Sequence, residues 1–150
     1  MIKLIATDCD ETLLSDDKTI HKRNIDAIKK AQEMGIIITT ATGRGPYQLF
    51  DILEQIDNVK EDRFSILCNG GIIMDNITKK VVEASPIGYK KAVEISDYCN
   101  EVGVHFEIYT DKHCYVFANG NEVEGNYDKN IYKFVQKAKD IKNLDKEIIV

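Results

Sequence analysis

Three short runs of β-prone apolar residues constrain the fold of this chain more than any other feature. They lie at Ile2 to Thr7, Ile36 to Ala41 and Phe64 to Cys68, and the segments between them carry apolar residues at a helical period. Such runs are typical of strands that are buried on both faces, as in parallel sheets. The strand–helix–strand–helix–strand order therefore predicts an α/β fold with right-handed crossovers.

The connecting elements have recognisable boundaries. One helix begins near Lys22 and ends with Gly35 in the C′ position, and a second begins at Pro46. Ser15–Lys18 read as a polar turn before the first helix. Two short apolar segments that flank Asp75-Asn76 predict a hairpin after the third strand.

The pattern changes around Ala84-Ser85-Pro86, and we place a domain boundary near residue 85. Beyond it the sequence predicts a helix near Tyr89–Val102, strands at His105–Tyr109 and Cys114–Ala118, and an amphipathic stretch at about Asn130–Ile141. We therefore expect residues 1–84 to form one domain and residues 85–150 to begin a smaller α+β domain.

Composition excludes several classes of protein. The 150 residues include 20 basic and 25 acidic side chains, a net charge of −5, and 43% of the residues are apolar, which is typical of a globular chain. No apolar run approaches the ~20 residues of a membrane span, and Asp8 comes too early for a secretory signal. A pI near 5.2 without a basic cluster disfavours a nucleic-acid partner. The four cysteines form no Cys-x-x-Cys pair and predict reduced thiols in a cytoplasmic protein.

Polar side chains follow each predicted strand where it ends. The candidate site residues are Asp8 and Asp10 after the first strand, Thr42, Gly43 and Arg44 after the second, and Asn69 and Gly70 after the third. Ligands of open α/β sheets bind beyond the carboxyl ends of the strands, so we expect these residues to share one site. Asp8 and Asp10 point the same way on an extended backbone, and Thr42 offers a hydroxyl and amide groups to an anion.

Each of these residues also has an ordinary structural explanation. An Asp-x-Asp pair occurs by chance in solvated loops, and Thr42 can cap a turn. Gly43 can be present only because the backbone there has a positive φ. Arg44 is as consistent with an ion pair to a nearby carboxylate as with substrate contact. Only the coincidence of three signatures at three successive strand ends favours a functional site.

Together the three signatures resemble motifs of the haloacid dehalogenase (HAD) superfamily, as written in the Cof-type sugar-phosphate phosphatases. Asp-x-Asp-x-Thr at positions 8–12 resembles the first motif, Ala41–Arg44 the second, and Cys68–Gly71 the loop that follows. The resemblance implies a Rossmann-like parallel sheet core at residues 1–84, an incomplete HAD fold, and part of an α+β cap domain at residues 85–150.

The resemblance also implies roles for the site residues. Asp8 is the expected nucleophile, which forms an aspartyl-phosphate, and Asp10 is the expected general acid and base. Mg²⁺ would bind the Asp8 side chain and the Asp10 backbone carbonyl. The phosphoryl group and substrate would meet Thr42, Gly43, Arg44, Asn69 and Gly70. The implied function is Mg²⁺-dependent hydrolysis of small phosphate monoesters such as sugar phosphates, with no nucleic-acid or membrane partner.

The sequence departs from the family pattern in three places. Glu11 stands where Gly or Asp is usual, and Cys9 where a larger apolar residue is usual. The family also has a later Lys motif and a Gly-Asp-x-x-x-Asp motif, whereas this chain contains no Gly-Asp dipeptide. We therefore expect the chain to cover the first half of a family member and to stop inside the cap. We also expect it either to associate with itself through exposed sheet edges or to be only marginally stable.

Other functions remain open on the sequence alone. A truncated phosphate-binding or interaction module without catalysis fits the same residues. A phosphoacceptor receiver domain fits poorly, because its acceptor Asp ends the third strand, where this chain has Cys68-Asn69. A dinucleotide loop at Gly43-Arg44-Gly45 lacks the third glycine and follows the wrong strand.

Overall fold

The computed structural model of the chain describes residues 1–117, 135–138, 141, 144 and 150. These residues divide into two units, Met1–Ala84 and Ser85–Val150. No helix within the described ranges is long and apolar enough to cross a membrane.

The first unit has the predicted order of strands and helices. Its elements are β1 (Leu4–Thr7), α1 (Lys22–Glu33), β2 (Ile37–Thr40), α2 (Phe50–Gln55), β3 (Phe64–Leu67), β4 (Ile72–Asp75) and β5 (Val81–Ala84). β1 pairs in parallel with β2, from Leu4 opposite Ile37 to Thr7 opposite Thr40. A parallel bridge between Ala41 and Ile66 joins β2 to β3. The predicted α/β class and parallel connections are therefore confirmed.

The predicted hairpin is also confirmed, because β3, β4 and β5 form an antiparallel meander. α1 ends as expected: Gly35 has a φ of 76°, and the Ile36 N–H donates to the Ala31 carbonyl at 3.0 Å. This is the hydrogen-bond pattern of a Schellman cap, which needs a left-handed residue at C′.

Two expectations for the first unit are wrong. The helix predicted from Pro46 is split into a 3₁₀ turn at Pro46–Gln48 and α2, which begins at Phe50. The Gln48 side chain caps the start of the 3₁₀ turn by accepting a hydrogen bond from the Gly45 N–H at 2.8 Å. β1 is not buried on both faces, because Leu4 is 52% and Ile5 39% exposed. In the described part of the chain β1 pairs only with β2, so its outer edge is open.

A chain of buried side-chain hydrogen bonds fixes β2 against β3. The Thr40 hydroxyl donates to Ser65 Oγ at 2.8 Å, and Ser65 donates to Asn76 Oδ1 at 2.8 Å. Asn76 Nδ2 then donates to the Asn58 carbonyl at 3.0 Å. All four residues are fully buried, so the chain specifies how the two strands that precede the candidate site are aligned.

The second unit contains α3 (Tyr89–Val102), β6 (Glu107–Tyr109), β7 (Cys114–Phe117) and β8 (Val135–Ala138). β6 and β7 are antiparallel, and β7 and β8 are parallel. Its core combines residues from α3, the sheet and the chain's final segment: Ala92, Ile108, Tyr115, Ile141 and Leu144. Of the predicted amphipathic stretch Asn130–Ile141, only Val135–Ala138, a strand, and Ile141 are described. Ala118 lies outside the described residues.

Candidate active site

Backbone hydrogen bonds hold the three candidate loops side by side. The Ala41 N–H donates to the Thr7 carbonyl at 2.8 Å, which links the ends of β1 and β2. The Asn69 N–H donates to the Thr42 carbonyl at 3.2 Å, and the Cys68 N–H to the Arg44 carbonyl at 3.0 Å. The structure therefore places the loops after β1, β2 and β3 at one edge of the first unit.

The loop after β1 keeps its two aspartates outward. Cys9 between them is fully buried, whereas Asp8 is exposed and the Asp10 side chain is 41% exposed. The loop closes where the Leu14 N–H donates to the Cys9 carbonyl at 2.8 Å. Glu11 has a φ of 56°, a left-handed conformation that favours Gly or Asp and explains why Glu is unusual there.

Asp10 is the electrostatic centre of the site. Arg44 Nε donates to Asp10 Oδ2 at 2.8 Å, and an Arg44 terminal nitrogen donates to Oδ1 at 2.7 Å, a bidentate pair between residues 34 positions apart. Lys18 Nζ donates to Oδ1 at 2.9 Å. The Arg44 and Lys18 hydrogen bonds hold the pKa of the Asp10 carboxyl well below its usual value, so Asp10 is ionised in this arrangement.

Lys18 is a site residue that the sequence analysis did not identify. It lies in the polar turn of a small hairpin, which is closed by the bridge between Leu14 and Ile20. Asp17 Oδ1 stabilises the turn by accepting hydrogen bonds from the Thr19 N–H at 3.1 Å and the Thr19 hydroxyl at 2.7 Å. A lysine in a polar turn carries no sequence signal for a site, because nothing in the spacing shows where its side chain reaches.

Thr42 lies inside the loop after β2. It is only 6% exposed, and its hydroxyl oxygen accepts a hydrogen bond from the Arg44 N–H at 3.3 Å. Burial raises the pKa of the Cys9 thiol, and a hydrogen bond with the Thr42 side chain opposes that change. The thiol is therefore protonated at neutral pH and serves as packing beneath the loop.

A close contact, rather than a positive φ, explains the glycine at position 43. A methyl group there would lie 3.0 Å from Asn69 Oδ1, so a larger residue at position 43 would require the Asn69 side chain to shift. Cys68, Asn69 and Gly70 follow one another with φ values of 50°, 54° and 95°, and this left-handed turn leaves Asn69 exposed beside Gly43.

Burial raises the pKa of the Cys68 thiol to about 11, so it is not a nucleophile at neutral pH.

The site residues differ in how closely the structure joins them. Asp10 contacts Arg44, and Gly43 adjoins Asn69, whereas the Asp8 carboxylate makes no hydrogen bond or ion pair to the described residues. No group of three His, Cys, Asp or Glu side chains within the described ranges is arranged to hold a metal ion. The arrangement offers one unengaged carboxylate, one carboxylate bound by two cations, and a glycine-containing loop with buried Thr42.

Comparison with known proteins gives consistent matches. Residues 5–149 match the family described as haloacid dehalogenase-like hydrolase. The chain is 33% identical over 112 residues to the 5-amino-6-(5-phospho-D-ribitylamino)uracil phosphatase of Bacillus subtilis, which covers 75% of this chain and 37% of the relative. It is 32% identical over 109 residues to the pyridoxal phosphate phosphatase of Escherichia coli, covering 73% and 39%.

A solved structure supports the same fold. The crystal structure of a haloacid dehalogenase-like hydrolase from Bacteroides thetaiotaomicron superposes with a TM-score of 0.74 at 21% identity, covering 94% of this chain and 53% of the other. The chain therefore spans about two fifths of the length of the two curated relatives and about half of the solved structure.

Proposed function

Because the chain belongs to the haloacid dehalogenase-like hydrolase family, we propose that it carries the nucleophile half of a phosphatase site, in which Asp8 attacks small phosphate monoesters. The observation that carries the proposal is the bidentate pair between Asp10 and Arg44, which joins the loops after β1 and β2. A phosphoryl group beside Asp8 would meet this cationic arginine and the buried Thr42 loop.

The proposed reaction has two halves. An oxygen of Asp8 forms a bond to phosphorus while the bond from phosphorus to the leaving oxygen breaks, and the leaving oxygen takes a proton from Asp10. Asp10 then accepts a proton from a water whose oxygen attacks phosphorus, and the bond from phosphorus to Asp8 breaks to release phosphate. The Arg44 and Lys18 hydrogen bonds favour the ionised Asp10 that the second half requires. The first half therefore draws on the minor protonated form of Asp10, which becomes ionised when it gives its proton to the leaving oxygen.

The donor set suits Mg²⁺. The Asp8 carboxylate and the Asp10 backbone carbonyl are hard oxygen ligands, and Mg²⁺ commonly takes only one or two protein carboxylates together with waters and substrate phosphate. When bound, Mg²⁺ would neutralise charge on the phosphoryl oxygens and lower the repulsion of Asp8 for the substrate. Asp8 is exposed, so its carboxylate is accessible for this role.

The substrate is proposed to be a small phosphorylated metabolite. Both curated relatives are named for phosphate esters of small molecules, one with a ribityl chain and one with a pyridoxal ring. A sugar phosphate fits this range. We assign residues 1–84 to the catalytic core and residues 85–150 to part of a cap, and the four free cysteines fit a reducing cytoplasm.

A phosphate-binding module without turnover is the second candidate. It is favoured by the ion pairs that Lys18 and Arg44 already make with Asp10. It is also favoured because, among the described residues, no third carboxylate lies with Asp8 and Asp10 in a group that could hold a metal ion. Phosphate monoester hydrolysis needs rate accelerations of up to ~10²¹, which depend largely on positioned charge. Binding alone would need only the cations and the loop amides.

Asp8→Asn separates the two candidates. We expect turnover of para-nitrophenyl phosphate with Mg²⁺ to fall at least about a thousandfold, because the nucleophile is removed. Beryllofluoride with Mg²⁺ should attach to Asp8, as followed by ¹⁹F NMR. The matched control is Asp51→Asn, which changes an exposed aspartate at the start of α2 and should leave turnover unchanged.

Three results would change the assignment. Activity in Asp8→Asn above a few per cent would reject Asp8 as the nucleophile. Phosphate binding by the native chain without turnover or beryllofluoride attachment would favour the binding module. Loss of activity in Asp51→Asn as well would point to a general loss of folding.

A further inference from the structure

Lys18 and Arg44 approach the same oxygen of Asp10. Lys18 Nζ lies 2.9 Å from Oδ1, and an Arg44 terminal nitrogen lies 2.7 Å from it. Arg44 also contacts Oδ2 and is only 17% exposed, so it satisfies both carboxylate oxygens without Lys18. Lys18 is thus a second cation at an oxygen that already has a strong partner.

Stability of the turn does not explain a lysine at this position. Lys18 has a φ of 62°, a left-handed conformation in which glycine or asparagine is sterically favoured. Its side chain is 54% exposed, and exposed ion pairs contribute little to stability.

The hairpin lets the ammonium move without moving the backbone. Buried Leu14 and Ile20 anchor the hairpin, and the Ser15 N–H donates to the Thr19 carbonyl at 2.9 Å across the turn. The four-carbon stem of a lysine rotates readily. A change of partner therefore requires only side-chain rotation, within reach of the edge that presents Asp8 and Asp10.

We propose that Lys18 is a phosphoryl-binding residue, which exchanges its contact with Asp10 for the substrate's phosphoryl oxygens. This inference rests on the proposed function, since it places the phosphoryl group beside Asp8. A phosphoryl dianion carries more negative charge than the Asp10 carboxylate and is not already shared with Arg44 in a bidentate pair. The exchange also removes one of the two cations from Asp10 when the substrate arrives.

The test measures orthophosphate binding by isothermal titration calorimetry, which does not depend on turnover. Lys18→Asn removes the ammonium and keeps a residue that tolerates the left-handed backbone. We expect the dissociation constant for orthophosphate to rise about tenfold, which is the effect of losing one charged hydrogen bond. The thermal midpoint of unfolding should be unchanged or higher. Lys18→Arg should stay within about threefold of the native chain. Lys22→Asn, which removes an exposed α1 lysine paired with Asp26, is the matched control.

The outcomes distinguish this inference from the proposed function. Unchanged orthophosphate affinity in Lys18→Asn, or no orthophosphate binding by the native chain, would overturn the role of Lys18. An equal loss in Lys22→Asn would also overturn it, because the effect would then come from general charge. The beryllofluoride experiment at Asp8 tests the proposed function separately, and its failure would leave a Lys18-dependent phosphate affinity measurable.

Discussion

Replacing Ser65 with alanine tests whether the buried hydrogen-bond chain aligns the strands that lead to the site. Ser65 is fully buried, accepts from Thr40 at 2.8 Å and donates to Asn76 at 2.8 Å. The substitution leaves the Thr40 hydroxyl without its acceptor and Asn76 Oδ1 without its donor. A buried polar group left unpaired costs about 1–3 kcal/mol, so two of them should lower the free energy of unfolding by roughly 3 kcal/mol.

The assay should report on the first unit rather than on the whole chain. Hydrogen–deuterium exchange of peptides from residues 1–84, measured across a urea series, gives the free energy of unfolding for that unit. Ser15→Ala, a change at an exposed serine, is the matched control and should stay within about 0.5 kcal/mol of the native chain.

A double variant identifies the cause of any loss. Thr40→Val with Ser65→Ala removes both members of one hydrogen bond, so it should cost less than the sum of the single variants, with a coupling of about 1 kcal/mol. If Ser65→Ala stays within about 0.5 kcal/mol of the native chain, or if the two changes are additive, the reasoning from unpaired buried groups is wrong. Because β2 and β3 lead directly into the loops that carry Thr42 and Asn69, the destabilised variant should also bind orthophosphate more weakly.

Two further predictions concern thiol chemistry and the open strand edge. With a pKa of about 11, the Cys68 thiol has a much smaller thiolate fraction at pH 8 than a thiol of pKa 9.0, and the higher nucleophilicity of its thiolate offsets only part of this. It should therefore react with iodoacetamide roughly tenfold more slowly, and peptide mass spectrometry that finds an ordinary reaction rate would contradict this. The free energy of unfolding should fall between pH 9 and 11, because the folded state retains that proton longer. We expect the chain to associate as its concentration rises, through the edge of β1, and Leu4→Lys to weaken that association in sedimentation velocity; a native chain that stays monomeric at the highest concentrations would refute it.

The sequence was sufficient to predict features that depend on local backbone chemistry. Gly35 was assigned to the end of α1 because a Schellman cap needs a left-handed residue, and it has a φ of 76°. The ends of β1, β2 and β3 could be predicted because each apolar run gives way to polar residues, at Asp8, Thr42 and Asn69. These signals lie within a few residues of the feature that they predict.

Contacts between distant residues were not predictable in the same way. The sequence does not decide whether Arg44 contacts a substrate or a carboxylate, and the fold shows that it contacts Asp10, 34 residues earlier. The sequence suggests a positive φ as the explanation for Gly43, whereas the structure shows instead a close approach of the Asn69 side chain. Lys18 was missed because the direction of a hairpin turn, and not its composition, brings the ammonium to Asp10.

The exposure of β1 connects the stability of the first unit to the chemistry proposed for it. β1 directly precedes the proposed nucleophile Asp8, yet Leu4 and Ile5 are exposed. The next helix, α1, contains no buried residue. Catalytic groups must be held to about 0.5 Å by the elements that carry them, and a strand paired on one side is held less firmly than a central strand. Whatever covers the outer edge of β1 should therefore raise both the unfolding free energy of the first unit and the rate at which Asp8 reacts, and the two should increase together.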